Sequence, residues 1–139
     1  MWGNTHKMAA AVAEGVAAGG MKTRVYNVQS TLPSEIVDEV FDSRLVLIGS
    51  STFVGGIYPP VEAFIPFMRV IRDKSKKVAS FGSYGWSGGS IKKLDKLLKE
   101  EGYDVMEPGL ALQFEPTAEG LKECYDFGRR AAAWTIGSA

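Results

Sequence analysis

Leu45-Val46-Leu47-Ile48 is a run of four apolar residues that stops at Gly49 and Ser50. A strand with one wet face alternates apolar and polar side chains. A strand apolar at every position is covered on both faces, as in parallel sheets flanked by helices. The run is therefore expected to be a central strand of an α/β domain. Neighbouring segments agree with that reading. Met8, Ala9, Val12, Ala13 and Val16 recur at helical spacing over residues 6–18, before Gly19 and Gly20. Thr23 to Val28 reads as a short strand, and Pro33 opens a helix with Ile36, Val37, Val40 and Phe41 on one face. After Pro59 and Pro60 come a helix carrying Phe64, Phe67, Met68 and Ile71, then a strand over Lys77 to Phe81. Ile91, Leu94, Leu97 and Leu98 mark a helix that Gly102 ends. Tyr103 to Gln113 is extended, with a break at Pro108 and Gly109, and Thr117 caps a last helix with Leu121, Cys124 and Tyr125. Strands alternating with helices through short connections specify a parallel sheet with helices on both faces, because each crossover returns right-handedly.

Composition narrows the function. The chain has 139 residues, 45% of them apolar and 23% charged, so residues 1–139 are expected to form one domain with its own core. Sixteen basic groups balance sixteen acidic ones, which leaves no global field to draw nucleic acid or an anionic membrane. One Cys and one His exclude an internal disulfide, a structural zinc cluster and a His-rich iron site. No apolar run approaches the roughly 20 residues that span a bilayer, and no basic-then-apolar leader opens the sequence. The expected location is the reducing cytoplasm.

In α/β sheets of this kind ligands sit at the carboxyl ends of the strands. Three Gly- and aromatic-rich turns fall where such ends meet helix starts. Before the first helix, Trp2, Gly3, Asn4 and Thr5 offer neutral donors at a positive helix end, which suits a bound monophosphate. An ordinary Gly-Asn turn with a Thr cap fits those residues equally. The second turn, Ser50 to Pro60, joins hydroxyls, aromatic faces and the Gly55-Gly56 pair. A flat ring could lie there, and a hairpin-like surface turn is the alternative. The third, Phe81 to Gly89, offers Tyr84 and Trp86 as aromatic surface for a conjugated ring, against a Trp packed over a helix terminus. Gly85-Trp86-Ser87-Gly88-Gly89 matches the G-x-S-x-G nucleophile pattern, but the only His, His6, precedes it, so no triad forms in the usual order. His6 reads as a solvated first-turn residue, Cys124 as core, and Lys92, Lys93, Lys96 and Lys99 as a solvated face. None of these is assigned catalytic or metal-binding chemistry.

Taken together, M-W-G-N-T before a helix, S-S-T-F-V-G-G-I-Y-P-P after the Leu45 strand and F-G-S-Y-G-W-S-G-G after the Lys77 strand resemble the flavodoxin-like domain of flavo-diiron proteins. The resemblance covers nearly the whole chain and extends to Glu107-Pro108-Gly109-Leu110 and the Thr117 helix. It implies a three-layer α/β/α fold with parallel strand order 2-1-3-4-5, and FMN as cofactor. On this resemblance Met1, Trp2, Gly3, Asn4 and Thr5 hold the FMN phosphate. Thr52, Phe53, Val54, Gly55 and Gly56 border the isoalloxazine on one side, and Ser83, Tyr84, Gly85, Trp86 and Gly88 on the other. The implied acceptor is a diiron metallo-β-lactamase-like domain that reduces oxygen or nitric oxide and lies outside this chain. The implied donor is rubredoxin or an NAD(P)H-linked reductase, and homo-oligomers are compatible with the pattern. The Gly55-Gly56 peptide is expected to change orientation on reduction. Two rivals stay open: an NAD(P)H-dependent quinone reductase of the same fold, and a non-enzymatic docking or receiver-like module. The latter lacks clustered carboxylates at the strand ends.

The sequence departs from the family pattern in one respect. The family's first strand runs straight into the phosphate loop, whereas this sequence begins inside that loop. Without that strand, the Thr23 and Leu45 strands sit two spacings apart, roughly 9.6 Å, and cannot pair. The expectation is a C-terminal portion of a longer protein or an incomplete product, unless a partner chain supplies a strand. Alone, the 139 residues are expected to be destabilised and to bind FMN weakly.

Overall fold

The computed structural model describes residues 3–85 and 89–137. Helix α1 runs Asn4–Ala18, α2 runs Pro33–Phe41, and strand β1 covers Leu45–Gly49. Two short strands follow, β2 (Thr52–Phe53) and β3 (Gly56–Ile57), then α3 (Pro59–Phe64) and a 3₁₀ helix (Ile65–Val70). Strand β4 (Lys77–Tyr84), helix α4 (Ser90–Glu100), strands β5 (Asp104–Val105) and β6 (Leu110–Gln113), and helix α5 (Ala118–Gly137) complete the order.

Strand β4 is the axis of the main sheet. Along one side β1 pairs with it in parallel, from Leu45 opposite Lys77 to Gly49 opposite Phe81. Along the other side β5 pairs with Lys77 and Val78, and β6 with Phe81 to Tyr84, again in parallel. Parallel pairing puts the carboxyl ends of β1, β4 and β6 at one end of the sheet.

Helices cover both faces. Ile36, Val40, Phe64, Met68, Leu94 and Leu98 form one core with Ile48 and Val78. Met8, Val12, Cys124 and Phe127 form the other with Ala79 and Phe81. Each large apolar side chain removed from water this way contributes about 1.5–3 kcal/mol. Helices α1 and α5 touch through their backbones: a Cβ on Gly15 would stand 2.0 Å from the Tyr125 carbonyl oxygen, and one on Gly128 2.2 Å from that of Val12. Lys76, only 5% exposed, donates to the Phe41 and Ser43 carbonyls at 3.0 and 2.7 Å and so closes the carboxyl end of α2. Thr117 Oγ1 accepts the Gly120 N–H at 3.1 Å, the cap expected from the sequence.

Four local expectations change. Residues 21–27 form no strand, and Val25 and Tyr26 are exposed. An extended segment with no neighbour within one strand spacing has no ladder to join. Strand β1 is not central: among the described residues it pairs only with β4 and so is an edge strand. Strand β4 runs three residues past Phe81, because Gly82, Ser83 and Tyr84 find partners in β6. The helix expected after Pro59 changes to 3₁₀ geometry at Ile65, where Pro66 offers no N–H to an α-helical bond.

Candidate functional site

At the carboxyl end of the sheet the first turn holds Gly3 at φ 74°, directly before α1, and no side chain caps the helix. The start of the helix is therefore at Asn4, and Thr5 is not its cap. First-turn N–H groups at an uncapped helix start lack intrahelical partners and carry the positive end of the helix dipole. No acidic residue in that turn offsets it. Lys7 is bound to Glu115 Oε1 at 2.7 Å, and holds the Glu115 carboxyl below its ordinary range. The donors left are neutral: backbone N–H groups, the buried Asn4 and the Thr5 hydroxyl. Thr5 Oγ1 lies 3.3 Å from Ser83 Oγ, which joins the first turn to the end of β4. Met1 and Trp2 lie outside the described residues.

The second turn is a hairpin. Thr52 lies opposite Ile57 and Phe53 opposite Gly56. Val54 and Gly55 between them both have positive φ, 49° and 75°. Two such residues make a type I′ turn, whose twist suits a tight hairpin. Val54 occupies that region at a cost, since β-branched side chains rarely do, and it is 91% exposed. Ser50, fully buried, ties the loop shut: its Oγ donates to the Ser51 carbonyl at 2.9 Å and accepts the Tyr58 N–H at 3.0 Å. Thr52 Oγ1 donates to Ser90 Oγ at 2.8 Å, so that hydroxyl faces the start of α4. Lys93 Nζ donates to the Gly55 carbonyl at 2.7 Å.

In the third turn Ser83 is buried, the Tyr84 carbonyl accepts the Phe114 N–H at 2.6 Å, and the Gly85 carbonyl accepts Gln113 Nε2 at 3.2 Å. Trp86 and Gly88 lie outside the described residues. Gly82 allows this approach of β1 to β4, because a Cβ there would stand 1.7 Å from the Ser50 carbonyl oxygen.

The structure thus brings Gly3 to Thr5 against Ser83, and anchors the 52–56 hairpin on α4. Sequence reasoning counted Ser50 only as one hydroxyl of the second turn and did not single out Ser90, Lys93, Gln113 or Phe114 for the site. Lys93 looked like its solvated neighbours, and only the hairpin carbonyl opposite it marks it out. Phe114, at φ 60° and 54% exposed, was legible only as a large apolar residue past a strand end.

The chemistry available here is binding rather than proton transfer. The one thiol, Cys124, is buried on α5, which with Glu123 nearby pushes its pKa up to about 11 and keeps it neutral. Among the described residues no group of three or more His, Cys, Asp or Glu could hold a metal ion, and no helix is long and apolar enough to cross a membrane.

Residues 1–128 match the flavodoxin family model. A nitric oxide reductase of Moorella thermoacetica is 37% identical over 134 residues, 96% of this chain and 34% of that protein. A flavodoxin from the domain Archaea superposes with TM-score 0.89 at 30% identity, covering 98% of this chain and 93% of its own. The flavodiiron protein of Giardia intestinalis superposes with TM-score 0.92 at 28% identity, covering 99% of this chain and 34% of its own. The chain spans about a third of the length of the curated relatives it matches. The cofactor is FMN, and the residues present fit it: an uncapped helix start with neutral donors, beside the Ser83 hydroxyl, suits its phosphate. The chain belongs to the flavodoxin family, in the branch that forms the FMN domain of flavo-diiron proteins.

Proposed function

We propose that residues 1–139 form a single FMN-binding electron-transfer domain serving a diiron oxygen or nitric oxide reductase centre outside this chain. The observation that carries this reading is the contact of Thr5 with Ser83, which draws the uncapped start of α1 to the end of β4. Backbone N–H groups of residues 3–5 and the Thr5 hydroxyl hold the phosphate, and the family pattern adds Met1 and Trp2, outside the described residues, to the same role. Thr52, Phe53, Val54, Gly55 and Gly56 border the ring system on one side. Ser83, Tyr84, Gly85, Trp86 and Gly88 border it on the other.

Bound FMN supplies the electron chemistry. The chain's own residues bind, orient and shield. Backbone groups of the 52–56 hairpin set the polar surroundings of the ring edge, and Lys93 fixes the Gly55 carbonyl. No described side chain in the three turns needs to move a proton. Phe53, Val54 and Phe114 stand 46%, 91% and 54% exposed on the turns at this end, an apolar rim suited to brief docking of a redox partner. The names of the Moorella and Giardia relatives, a nitric oxide reductase and a flavodiiron protein, support a diiron acceptor. The donor in this reading is rubredoxin or an NAD(P)H-linked reductase.

The test is anaerobic mixing of the FMN-loaded chain with reduced rubredoxin, and separately with NADH alone. Bleaching of the flavin absorbance by rubredoxin and not by NADH is expected. Rapid bleaching by NADH alone would favour the quinone reductase instead.

A further inference from the structure

No residue of the three turns, 1–5, 50–58 and 81–89, carries a charged side chain. Any side-chain charge felt at this end of the sheet therefore comes from the elements behind the turns. Two ammonium groups stand there. Lys7 of α1 is paired with Glu115 at 2.7 Å, which cancels most of its field. Lys93 of α4 donates to the Gly55 carbonyl at 2.7 Å, and no carboxylate pairs with it among the described residues. Its charge stays uncompensated, and it rests on a turn that borders the ring in the proposed function.

Two glycines make that approach possible. A Cβ on Gly56 would stand 3.9 Å from Lys93 Nζ, so no side chain at that position holds the ammonium off the hairpin. A Cβ on Gly89 would stand 3.1 Å from the Gly55 carbonyl oxygen, and Gly89 has φ 142°, where a side chain is strained. The hairpin carbonyl can therefore lie over the start of α4, within reach of Lys93 one turn further along. That first turn has no acidic residue and no side-chain cap, so nothing negative in it opposes the ammonium.

Ring chemistry gives the effect a sign. Two electrons taken up with one proton leave a flavin ring one unit more negative than the oxidised ring. A cation beside it attracts the reduced ring and leaves the neutral, oxidised ring nearly unaffected. Linkage turns that preference into a potential: a site that binds the reduced form more tightly raises the potential by the same free energy.

We infer that Lys93 is a positioning residue that raises the reduction potential of bound FMN, its ammonium held on the hairpin by the Gly55 carbonyl and favouring the reduced ring over the oxidised one. The inference rests on the reading that residues 52–56 border the ring. Lys93 carries no electron and gives up no proton. The electrons come from the redox donor protein, or from dithionite in the experiment.

The experiment is anaerobic calorimetric titration of the full 139-residue chain, at mildly alkaline pH and low salt, with oxidised FMN and with dithionite-reduced FMN. The ratio of the two affinities is compared among wild type, Lys93→Met and Lys93→Arg. Lys93→Met is expected to lose roughly three- to tenfold more affinity for reduced than for oxidised FMN; tenfold in that ratio corresponds to about 30 mV for a two-electron couple. Lys93→Arg, which keeps the charge, should hold the ratio within about twofold of wild type. Because Lys93 is exposed, the difference between wild type and Lys93→Met should shrink in 1 M salt, where the screening length is about 3 Å. A merely structural role would weaken both forms alike. Equal losses for the two forms, a Lys93→Arg that behaves like Lys93→Met, or a difference that salt leaves unchanged overturns the inference while the FMN reading stands. Failure of wild type to bind either form overturns the FMN reading, and the inference with it.

Discussion

Thr5 Oγ1 and Ser83 Oγ stand 3.3 Å apart although 78 residues separate them in the sequence. The pair fixes the start of α1 against the end of β4, and neither hydroxyl has a charged partner among the described residues. Replacing Thr5 by Val or Ser83 by Ala removes one neutral hydrogen bond, worth about 1 kcal/mol net. Each substitution is expected to weaken FMN binding by roughly five- to tenfold, read by titrating flavin fluorescence. The Thr5→Val/Ser83→Ala double variant should lose less than the product of the two, because both remove the same contact.

Gly55 sits at φ 75°, and nothing lies within 4 Å of where its Cβ would be. A substitution there acts on the backbone alone. Gly55→Val is expected to strain the turn by about 1–2 kcal/mol and to change the separation of the flavin's two one-electron potentials, measured by spectroelectrochemistry. Gly55→Asn, which tolerates this conformation, should change the potentials less. An unchanged separation in Gly55→Val would contradict the proposed reorientation of the Gly55-Gly56 peptide.

Lys93 tethers the same hairpin through the Gly55 carbonyl. The contact is exposed and screened, so Lys93→Met should cost under about 1 kcal/mol of global stability. Local opening is the sensitive readout: amides of residues 54–57 should exchange several-fold faster while Tm holds nearly constant.

Much of this architecture is legible in the sequence because it depends on local periodicity. The stripe Met8, Val12, Val16 and the stripe Ile91, Leu94, Leu98 each fix a helix and its buried face. The Thr117 cap is likewise local. What failed was pairing. Thr23 to Val28 has strand-like residues, but a strand exists only beside another, and the edge of β1 faces an open groove. The sequence arithmetic of two spacings anticipated that obstacle, although the same reading still placed strands at both segments. Among the candidate site residues, Thr52 was proposed from its place in the turn, and its hydroxyl turns inward to Ser90. Lys93 lies beyond sequence reasoning, since its partner is a carbonyl 38 residues away.

Asp95 is a buried carboxylate that accepts the Ser80 hydroxyl and the Gly109 N–H, the latter at 3.1 Å. Burial pushes its pKa above the ordinary 3.8, against the opposing pull of those two hydrogen bonds. A raised folded pKa means that the group's stabilising contribution is complete below 3.8 and is lost as pH rises through the folded value. The stability difference between wild type and Asp95→Asn, from urea unfolding at a series of pH values, should therefore fall as pH rises above 3.8 and then level off. A difference that rises with pH would contradict this account.

The glycine contacts between α1 and α5 make a steric prediction. A methyl group at Gly15, 2.0 Å from a backbone oxygen, forces the helices apart. Gly15→Ala is expected to cost about 1–3 kcal/mol and to lower Tm by several degrees. Ala at Gly55, where space is open, meets no such obstacle, and there the cost comes from φ alone.

The most direct test of the central claim is a titration of the isotopically labelled chain with FMN, followed by the backbone amide signals. Shifts concentrated in residues 3–5, 52–56 and 83–85, saturating together, are the predicted result, and they remain measurable even where binding is weak. No saturable shift, or shifts centred elsewhere on the fold, would contradict it.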